Sequence, residues 1–175
     1  MAWLVGLSGV PGVGKSTIAR AFAGETGALW LRVDHVEQAM RESHIQTDDL
    51  ADGGYAALQA VAAAALEHGF DVLAHSLNPI QLTQVAWRAA TAEKNGRHLD
   101  VELSFSDKAA HRQRVEIRAS DVPGRALSDW PAVLDRRYEP FTSADLQLDT
   151  GALTVAKAAA RIRAATAVAE AQSHG

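Results

Sequence analysis

One stretch of the chain reads Gly9-Val10-Pro11-Gly12-Val13-Gly14-Lys15-Ser16. Its form is G-x-x-x-x-G-K-S/T, which predicts a loop that wraps phosphate groups. The run before it, residues 2–7, is short and almost wholly apolar, as is typical of a buried parallel strand. In the run after it, Ile18 and Phe22 lie one helical turn apart, which favours a helix. Strand, loop and helix therefore follow one another in the order that this motif requires.

The residue types in this loop suit the chemistry of a nucleotide's phosphates. Gly9, Gly12 and Gly14 lack a Cβ, so backbone N–H groups there can approach phosphate oxygens closely. A helix that begins near Lys15 directs the positive end of its dipole towards the same anion. We predict that Lys15 reaches the β- and γ-phosphates of ATP and that the Ser16 hydroxyl ligates Mg²⁺. The predicted nucleotide contacts are Gly9, Val10, Pro11, Gly12, Val13, Gly14, Lys15, Ser16 and Thr17.

Composition and charge restrict the class of protein. The chain has 175 residues, 47% of them hydrophobic and 22% charged, which predicts one globular domain over residues 1–175. A net charge of -4 gives no basic footprint for nucleic acid. We expect neither a membrane span nor a signal peptide, because no apolar run is long enough and a strand begins at once. The absence of cysteine fits a cytoplasmic protein, which is the location we expect.

Strand-like and helix-like segments alternate along the chain, which predicts an α/β fold with a parallel sheet covered on both faces. The predicted strands are residues 2–7, 28–33, 70–75, 98–105 and 146–149. The predicted helices are residues 17–23, 36–42, 55–68, 80–94, 107–118, 130–138 and 154–171. The polar connection 43–54 is long, as is typical of a segment that faces a substrate. Ligands of such sheets bind outside the carboxyl ends of the strands, where the loop 9–16 also lies.

Asp34 follows the second predicted strand and is expected to face the loop across this cleft. Its carboxylate can accept a proton from a substrate hydroxyl or hold a water molecule bound to Mg²⁺. The same residue also suits the N-cap of the helix 36–42, and one side chain can serve both purposes. We predict Asp34 as a catalytic base and, together with Ser16, as part of the metal site.

The third predicted strand ends at His75, where enzymes with this loop usually carry an acid that coordinates Mg²⁺. Imidazole is a poor ligand for this hard cation, which prefers oxygen. His75 therefore either polarises a substrate or is a neutral, hydrogen-bonded residue that fills space. In both cases the metal depends on Ser16, Asp34, phosphate oxygens and water.

A basic segment follows the fourth predicted strand, with Arg114 and Arg118 four residues apart on one helix face. Planar guanidinium groups suit the charge that spreads over a phosphoryl group during transfer, so we predict phosphate contacts from both. The alternative is a solvated basic face in which Glu116 pairs locally. Arg88 and Arg125 are weaker candidates for the same role.

The last predicted strand ends at Asp149, and Thr150 and Gly151 follow it. A loop there can hold a purine through backbone contacts, and it can equally be a plain turn between strand and helix. We predict nucleotide contacts from Thr150 and Gly151. The N/T-K-x-D tetrad that reads guanine is missing from the chain, so ATP is favoured over GTP.

With these residues the chain resembles small bacterial P-loop kinases of the AAA domain group, which are related to chloramphenicol phosphotransferase, gluconate kinase and zeta-toxin-like kinases. The pieces that carry the resemblance are 9–17, 32–37, 76–79, 106–118, 121–124, 130, 137–140 and 149–151. The resemblance implies the strand order 2-3-1-4-5, a small helical lid at about 107–127, and ATP-dependent phosphorylation of a hydroxyl on a small molecule. It also implies that Asp34 acts as the base and that Arg114 and Arg118 clamp phosphates. Many relatives carry Asp at the position of His75.

These observations predict an ATP-dependent kinase whose partner is a small-molecule acceptor with a hydroxyl group. One alternative is a nucleotide sensor that lost turnover together with its third-strand acid, which His75 motivates. Another is a zeta-toxin-like kinase that acts on a nucleotide sugar. The acceptor pocket is expected along residues 43–60 and 76–88, where Tyr55 and Trp87 either stack on a ring or belong to the core.

Overall fold

The computed structural model describes residues 1–44, 49–78, 81–92, 94, 96–120 and 127–172. Within these ranges the strands are β1 (Trp3–Ser8), β2 (Leu29–Arg32), β3 (Val72–His75), β4 (Arg97–Ser104) and β5 (Leu146–Asp149). The helices are α1 (Lys15–Thr26), α2 (Val33–Glu42), α3 (Gly53–Glu67), α4 (Gln81–Ala92), α5 (Lys108–Ile117), α6 (Trp130–Leu134) and α7 (Val155–Gln172).

The strands form one sheet in the order β2-β3-β1-β4-β5, and every pair of neighbours is parallel. At the centre of the sheet Gly6 of β1 pairs with Ala74 of β3 and Asp100 of β4. Helices α1 and α7 pack together on one face, and α2, α3 and α4 pack along the other. The predicted three-layer α/β fold and its 2-3-1-4-5 strand order are confirmed.

Strand β1 contributes to an apolar core on each face of the sheet. Val5 and Leu7 belong to the cluster that includes Ile18 of α1, whereas Leu4 belongs to the cluster that includes Leu58 of α3. A strand covered on both faces has no polar side, so its sequence is a continuous apolar run. This burial fixes the strand that leads into the loop, and Ser8 at its carboxyl end is itself fully buried.

A buried cluster of charged side chains joins β4 to α4. Asp100 is fully buried, and its carboxylate accepts hydrogen bonds from His98 Nε2, at 2.8 Å, and from Arg88 Nε. A buried carboxylate is tolerated only with such partners. Arg88 thus stabilises the fold, and it is not among the described residues that line the cleft beside the loop.

The junction between β2 and α2 differs from the prediction. Helix α2 begins at Val33, directly after the strand, and its N-cap residue is Arg32. Asp34 therefore lies in the first helical turn, and the prediction that it caps the helix is wrong. The physical reason is Val33, which is apolar and buried in the core shared with Leu58, so that the helix packs against the sheet from its first residue.

The helix predicted at 130–138 ends at Leu134. Beyond it, the Tyr138 hydroxyl donates to Glu102 Oε1 at 2.9 Å, and the same oxygen accepts from the N–H of Phe141 at 2.9 Å. Burial raises the pKa of Tyr138, and the charge of Glu102 raises it further, so the hydroxyl keeps its proton. These bonds draw the chain towards β4 instead of continuing the helix.

The predicted lid at about 107–127 is described only in part. Helix α5 lies within it, and Asp107 caps that helix by accepting from the N–H groups of Ala109 and Ala110. The predicted chain break at 122–124 and Arg125 lie outside the described residues. In the part of the chain that the structure describes, no helix combines the length and apolar character needed to cross a membrane.

Candidate functional site

The loop between β1 and α1 is held in a concave shape. Gly9, Gly12 and Gly14 have φ angles of 139°, 87° and 92°, in the region that favours glycine. The Lys15 side chain folds back over the loop, and its Nζ donates to the carbonyls of Gly9, at 2.5 Å, and Val10, at 2.9 Å. Helix α1 starts at Lys15 behind Gly14, so no side chain caps its first turn. The N–H groups of this turn and the helix dipole are therefore arranged to bind an anion.

Helix α5 packs directly against the middle of this loop. A Cβ on Gly12 would lie 2.5 Å from Val115 Cγ2 and 3.1 Å from His111 Nε2, so a side chain has no room there. His111 is buried, and its Nε2 donates to the carbonyl of Pro11 at 2.8 Å. The contact of His111 with the loop was not predicted, because its partner lies 100 positions earlier in the chain.

Thr150, which follows β5, also supports the loop. Its buried hydroxyl lies 2.7 Å from the carbonyl oxygen of Val13 and 3.0 Å from that of Ser104. The next residue, Gly151, is exposed, and a Cβ on it would lie 3.3 Å from Phe105 Cε1. The structure thus places Thr150 against the loop and Gly151 beside an aromatic ring, and their contacts with a nucleotide stay predictions.

Asp149 joins the ends of β4 and β5 next to this position. Its Oδ1 accepts from the N–H groups of Ser106, at 3.1 Å, and Gly151, at 2.9 Å. A hydrogen bond from the Ser106 side chain is the largest cause that holds the pKa of Asp149 below its usual value, and the bonds from the N–H groups of Gly151 and Ser106 lower it further. The carboxylate is therefore ionised at neutral pH and fixes the turn after β5.

Thr150→Val should lower the free energy of unfolding by about 1–2 kcal/mol, because the Val13 carbonyl loses a buried hydrogen-bond donor. Valine has nearly the shape of threonine, so the change reports mainly on the hydroxyl. Urea denaturation measures it, with Thr142→Val at an exposed position as the matched control. Equal stability of the two variants would show that the hydroxyl does not support the loop.

Asn78 connects the end of β1, which leads into the loop, to the end of β3 and to α4. Its side chain is buried, Oδ1 accepts from Ser76 Oγ at 2.8 Å and Trp87 Nε1 at 3.2 Å, and Nδ2 donates to Ser8 Oγ at 2.6 Å. Its backbone φ is 48°, which asparagine tolerates better than most residues. Asn78 therefore links the last residue of β1 to the end of β3 and to α4. Trp87 is fully buried in this arrangement, so it belongs to the core and does not stack on a ligand.

A cleft of about 530 Å³ opens beside the loop at the carboxyl ends of β1, β2 and β3. The loop and the start of α1 form one wall, and α2 and the end of β3 form another, including Asp34 and His75. Arg118 and Arg136 lie on the side of the lid. Of the predicted site residues, the cleft brings together Pro11, Gly12, Gly14, Lys15, Ser16, Thr17, Asp34 and Arg118.

The carboxylate of Asp34 is held by Arg32 in a bidentate ion pair. Nε of Arg32 donates to Oδ1 and Nη2 donates to Oδ2, each at 3.1 Å. Arg32 is buried, and its guanidinium lies 5.2 Å from the centroid of the Trp30 ring. Because a planar fork matches both carboxylate oxygens, the pair fixes the orientation of Asp34 in the cleft. Arg32 was not predicted as a site residue, although it stands two residues before Asp34.

His75 lies at the position where an acid was expected. Its ring stacks on Trp30, with the centroids 6.0 Å apart and the planes inclined by 5°. His75 is 5% exposed, yet it contributes to the wall of the cleft. Trp30 thus contacts both His75 and Arg32 and ties the end of β3 to the start of α2.

Tyr55 of α3 also lines the cleft, and its hydroxyl oxygen accepts from the N–H of Asn78 at 3.3 Å. Burial raises the pKa of Tyr55, and the charge of Glu37 adds to the rise. The phenol therefore stays neutral at physiological pH. It can donate a hydrogen bond to a ligand, but it does not serve as a base.

The two predicted lid arginines occupy different places. Arg118 lines the cleft, and its Nη2 donates to the carbonyl of Ser128 at 2.9 Å. Arg114 is exposed, its guanidinium lies 4.7 Å from the centroid of Phe105, and its Nη1 lies 3.8 Å from where a Cβ on Gly14 would be. Arg114 is therefore beside the loop on the β5 side, whereas Arg118 is above the cleft.

A family model described as "AAA domain" matches residues 4–137, which include the loop, the cleft and helix α5. The chain belongs to this family. None of the curated proteins matches this AAA domain protein.

Solved structures of three kinases share the fold of this AAA domain protein. A sugar kinase from Janibacter sp. HTCC2649 has a TM-score of 0.65 at 19% identity, covering 93% of this chain and 92% of that one. A gluconokinase from Sinorhizobium meliloti 1021 has a TM-score of 0.64 at 18% identity, covering 92% and 93%. The APS kinase CysC of Mycobacterium tuberculosis, in complex with AMPPNP and APS, has a TM-score of 0.64 at 17% identity, covering 92% and 95%. The fold is therefore that of P-loop kinases.

Proposed function

We propose that this protein is an ATP-dependent phosphotransferase that moves the γ-phosphate of ATP to a hydroxyl group of a small molecule. The observation that carries the proposal is the cleft, in which Lys15, Ser16, Asp34 and Arg118 meet beside a preformed phosphate loop. A phosphate tail in that loop would point its γ-phosphate into the cleft. An acceptor in the cleft would then present its hydroxyl between the loop and Asp34, as in-line transfer requires.

The nucleotide is proposed to lie with its phosphates in the loop and its base towards β5. On that side the guanidinium of Arg114 lies 4.7 Å from the centroid of the Phe105 ring, and Gly151 lies next to the same ring. A purine can stack on an aromatic or guanidinium plane without base-specific hydrogen bonds. The acceptor would then bind in the other half of the cleft, next to α2 and Tyr55.

Mg²⁺ is proposed to bind through the Ser16 hydroxyl, phosphate oxygens and water. In the described part of the chain no three His, Cys, Asp or Glu residues form a metal cluster. The proposed ligand set of one protein hydroxyl, phosphate oxygens and water fits Mg²⁺, which is commonly held by few protein ligands and keeps several waters. Both Asp34 oxygens face Arg32, so Asp34 suits a hydrogen bond to metal-bound water better than direct ligation. When bound, the ion would neutralise charge on the β- and γ-phosphates.

Asp34 is the proposed base, and the lid arginines are the proposed electrostatic stabilisers. Each carboxylate oxygen has two acceptor sites, so the ion pair with Arg32 leaves room for a hydrogen bond from an acceptor hydroxyl. Arg32 at the same time fixes the direction in which Asp34 accepts the proton. Lys15, Arg118 and Arg114 would stabilise the charge on the transferring phosphoryl group.

Asp34→Asn should lower turnover by about 10²–10⁴-fold, because the amide cannot accept the proton. Nucleotide binding should stay within about twofold, since the loop is not altered. Release of ADP measures turnover and calorimetry measures binding, with Asp135→Asn at an exposed position as the matched control. Wild-type turnover in the Asp34 variant would exclude this residue as the base.

The proposed activity is tested by a screen for ADP release with sugars, sugar acids, nucleosides and antibiotics. Lys15→Ala serves as the control that any genuine transfer must lose. A second candidate function is a nucleotide sensor without turnover, and the observation that favours it is His75 in place of the third-strand acid. A sensor would bind ATP but would release no ADP, whichever acceptor is added.

A further inference from the structure

Two carbonyl oxygens of the phosphate loop are held by side chains from outside the loop. The carbonyl of Pro11 accepts a hydrogen bond of 2.8 Å from Nε2 of His111, and the carbonyl of Val13 lies 2.7 Å from the hydroxyl of Thr150. Neither His111 nor Thr150 is among the described residues that line the cleft. Both carbonyls are therefore turned away from the cleft in which the nucleotide is proposed to bind.

The direction of each carbonyl fixes the direction of the N–H group that follows it. A peptide unit is planar, and in a trans peptide the C=O and N–H groups point in opposite directions. The peptide bonds after Pro11 and Val13 are trans. Because these carbonyls face away from the cleft, the N–H groups of Gly12 and Gly14 point to the cleft side of the loop. Both glycines line the cleft, so two donors are directed to the place where phosphate oxygens would lie.

His111 is itself held by aromatic neighbours on either side of α5. Only 6% of it is exposed, and its ring stacks on Phe105, with the centroids 5.6 Å apart. Trp130, the first residue of α6, meets the same ring edge-on at 5.2 Å. These contacts restrict the ring, so that its Nε2–H keeps one direction, towards the Pro11 carbonyl.

The hydrogen bond from His111 matters for binding because it orients a donor before the anion arrives. A donor that already points at the anion needs no reorganisation when the anion binds. Without this bond the peptide between Pro11 and Gly12 would be free to rotate and to turn its carbonyl oxygen towards the phosphates. One oriented hydrogen bond to a charged group contributes about 10–100-fold to affinity.

We propose that His111 is a positioning residue for nucleotide binding, which directs the N–H of Gly12 at phosphate oxygens through the Pro11 carbonyl. Thr150 acts in the same way on the N–H of Gly14. The inference rests on the proposed function, because it requires a nucleotide in the loop. It makes the affinity for phosphate depend on helix α5 of the lid, although His111 does not itself line the cleft.

The test compares two substitutions by side chains of similar length. His111→Gln keeps an N–H donor, whereas His111→Met has none, and both lose the ring contacts with Phe105 and Trp130. Calorimetry on the full chain measures the affinity for ADP and for pyrophosphate in the presence of Mg²⁺. Urea denaturation without ligand measures the free energy of unfolding of the same variants. The matched control is His68→Met, which removes an exposed histidine whose Nδ1 lies 2.8 Å from the carbonyl oxygen of Ala64.

We expect His111→Met to bind ADP and pyrophosphate about 10–100-fold more weakly than wild type, and His111→Gln to recover most of that loss. His68→Met should bind both ligands as wild type does. A role in packing alone would affect the Gln and Met variants alike, because each removes the ring. If His111→Met does not fold, His111→Phe takes its place with the same expectation, since it keeps a ring but has no donor.

The inference is overturned if the variant without a donor binds both ligands as wild type does, or if His111→Gln binds no better than that variant. In both cases wild type still binds ADP, and the proposed function stands. Failure of wild type itself to bind ADP would contradict the proposed function and, with it, the inference. The two failures are therefore distinguishable.

Discussion

Lys15→Ala is expected to lower ATP-dependent transfer by about 10²–10³-fold or more and to weaken ATP binding strongly. In the structure the Lys15 ammonium is anchored over the loop by the carbonyls of Gly9 and Val10. A phosphate group in the loop would lie next to this charge, in a site partly shielded from water. The attraction between opposite charges is stronger there than in bulk water. Removing it leaves the backbone N–H groups as the main remaining contacts in the loop.

The matched control is Lys157→Ala, which removes the same charge from the exposed surface of α7. Lys157→Ala should bind ATP as wild type does. Circular dichroism of both variants would show that the fold is retained. An unchanged affinity for ATP in Lys15→Ala would mean that the loop does not bind the phosphates.

Gly9→Ala is expected to lower the free energy of unfolding by about 2–5 kcal/mol and to abolish nucleotide binding. Gly9 has a φ of 139°, which alanine rarely adopts, and a Cβ there would overlap the backbone carbonyl oxygen of Leu103. A backbone atom of a hydrogen-bonded strand such as β4 cannot move aside as a flexible side chain would. The loop would therefore have to leave its place between β1 and α1.

Thermal unfolding measures this effect, at about 2–4 °C of melting temperature for each kcal/mol in a domain of this size. Gly24→Ala is the matched control, because Gly24 lies within α1 and a Cβ there would meet no atom within 4 Å. That variant should be more stable than wild type by about 0.5–1 kcal/mol, since alanine favours a helix. A melting temperature of Gly9→Ala at or above that of wild type would contradict the description of the loop.

The fold could be predicted because its signals are local. The apolar run of β1, the glycines of the loop and the apolar spacing of α1 lie next to one another in the sequence. The last strand is found at the predicted residues, Leu146–Asp149. Strand order needed the resemblance, since nothing within one segment states which strand is its neighbour.

The details of the candidate site could not be predicted, because they depend on contacts between distant residues. Asn78 binds Ser8 across 70 positions, and Thr150 contacts Val13 across 137. The ion pair between Arg32 and Asp34 is close in sequence, but it depends on where β2 ends and α2 begins. The prediction placed that boundary three residues too late and therefore gave Asp34 a capping role that it does not have.

The most direct test of the central claim is a calorimetric titration of the wild-type protein with ATP and with ADP in the presence of Mg²⁺. The concave loop, with its uncapped helix start and anchored Lys15, predicts saturable binding of one nucleotide per chain. It also predicts that excess inorganic pyrophosphate competes, because the phosphates carry the interaction. Absence of binding at millimolar nucleotide would contradict the account.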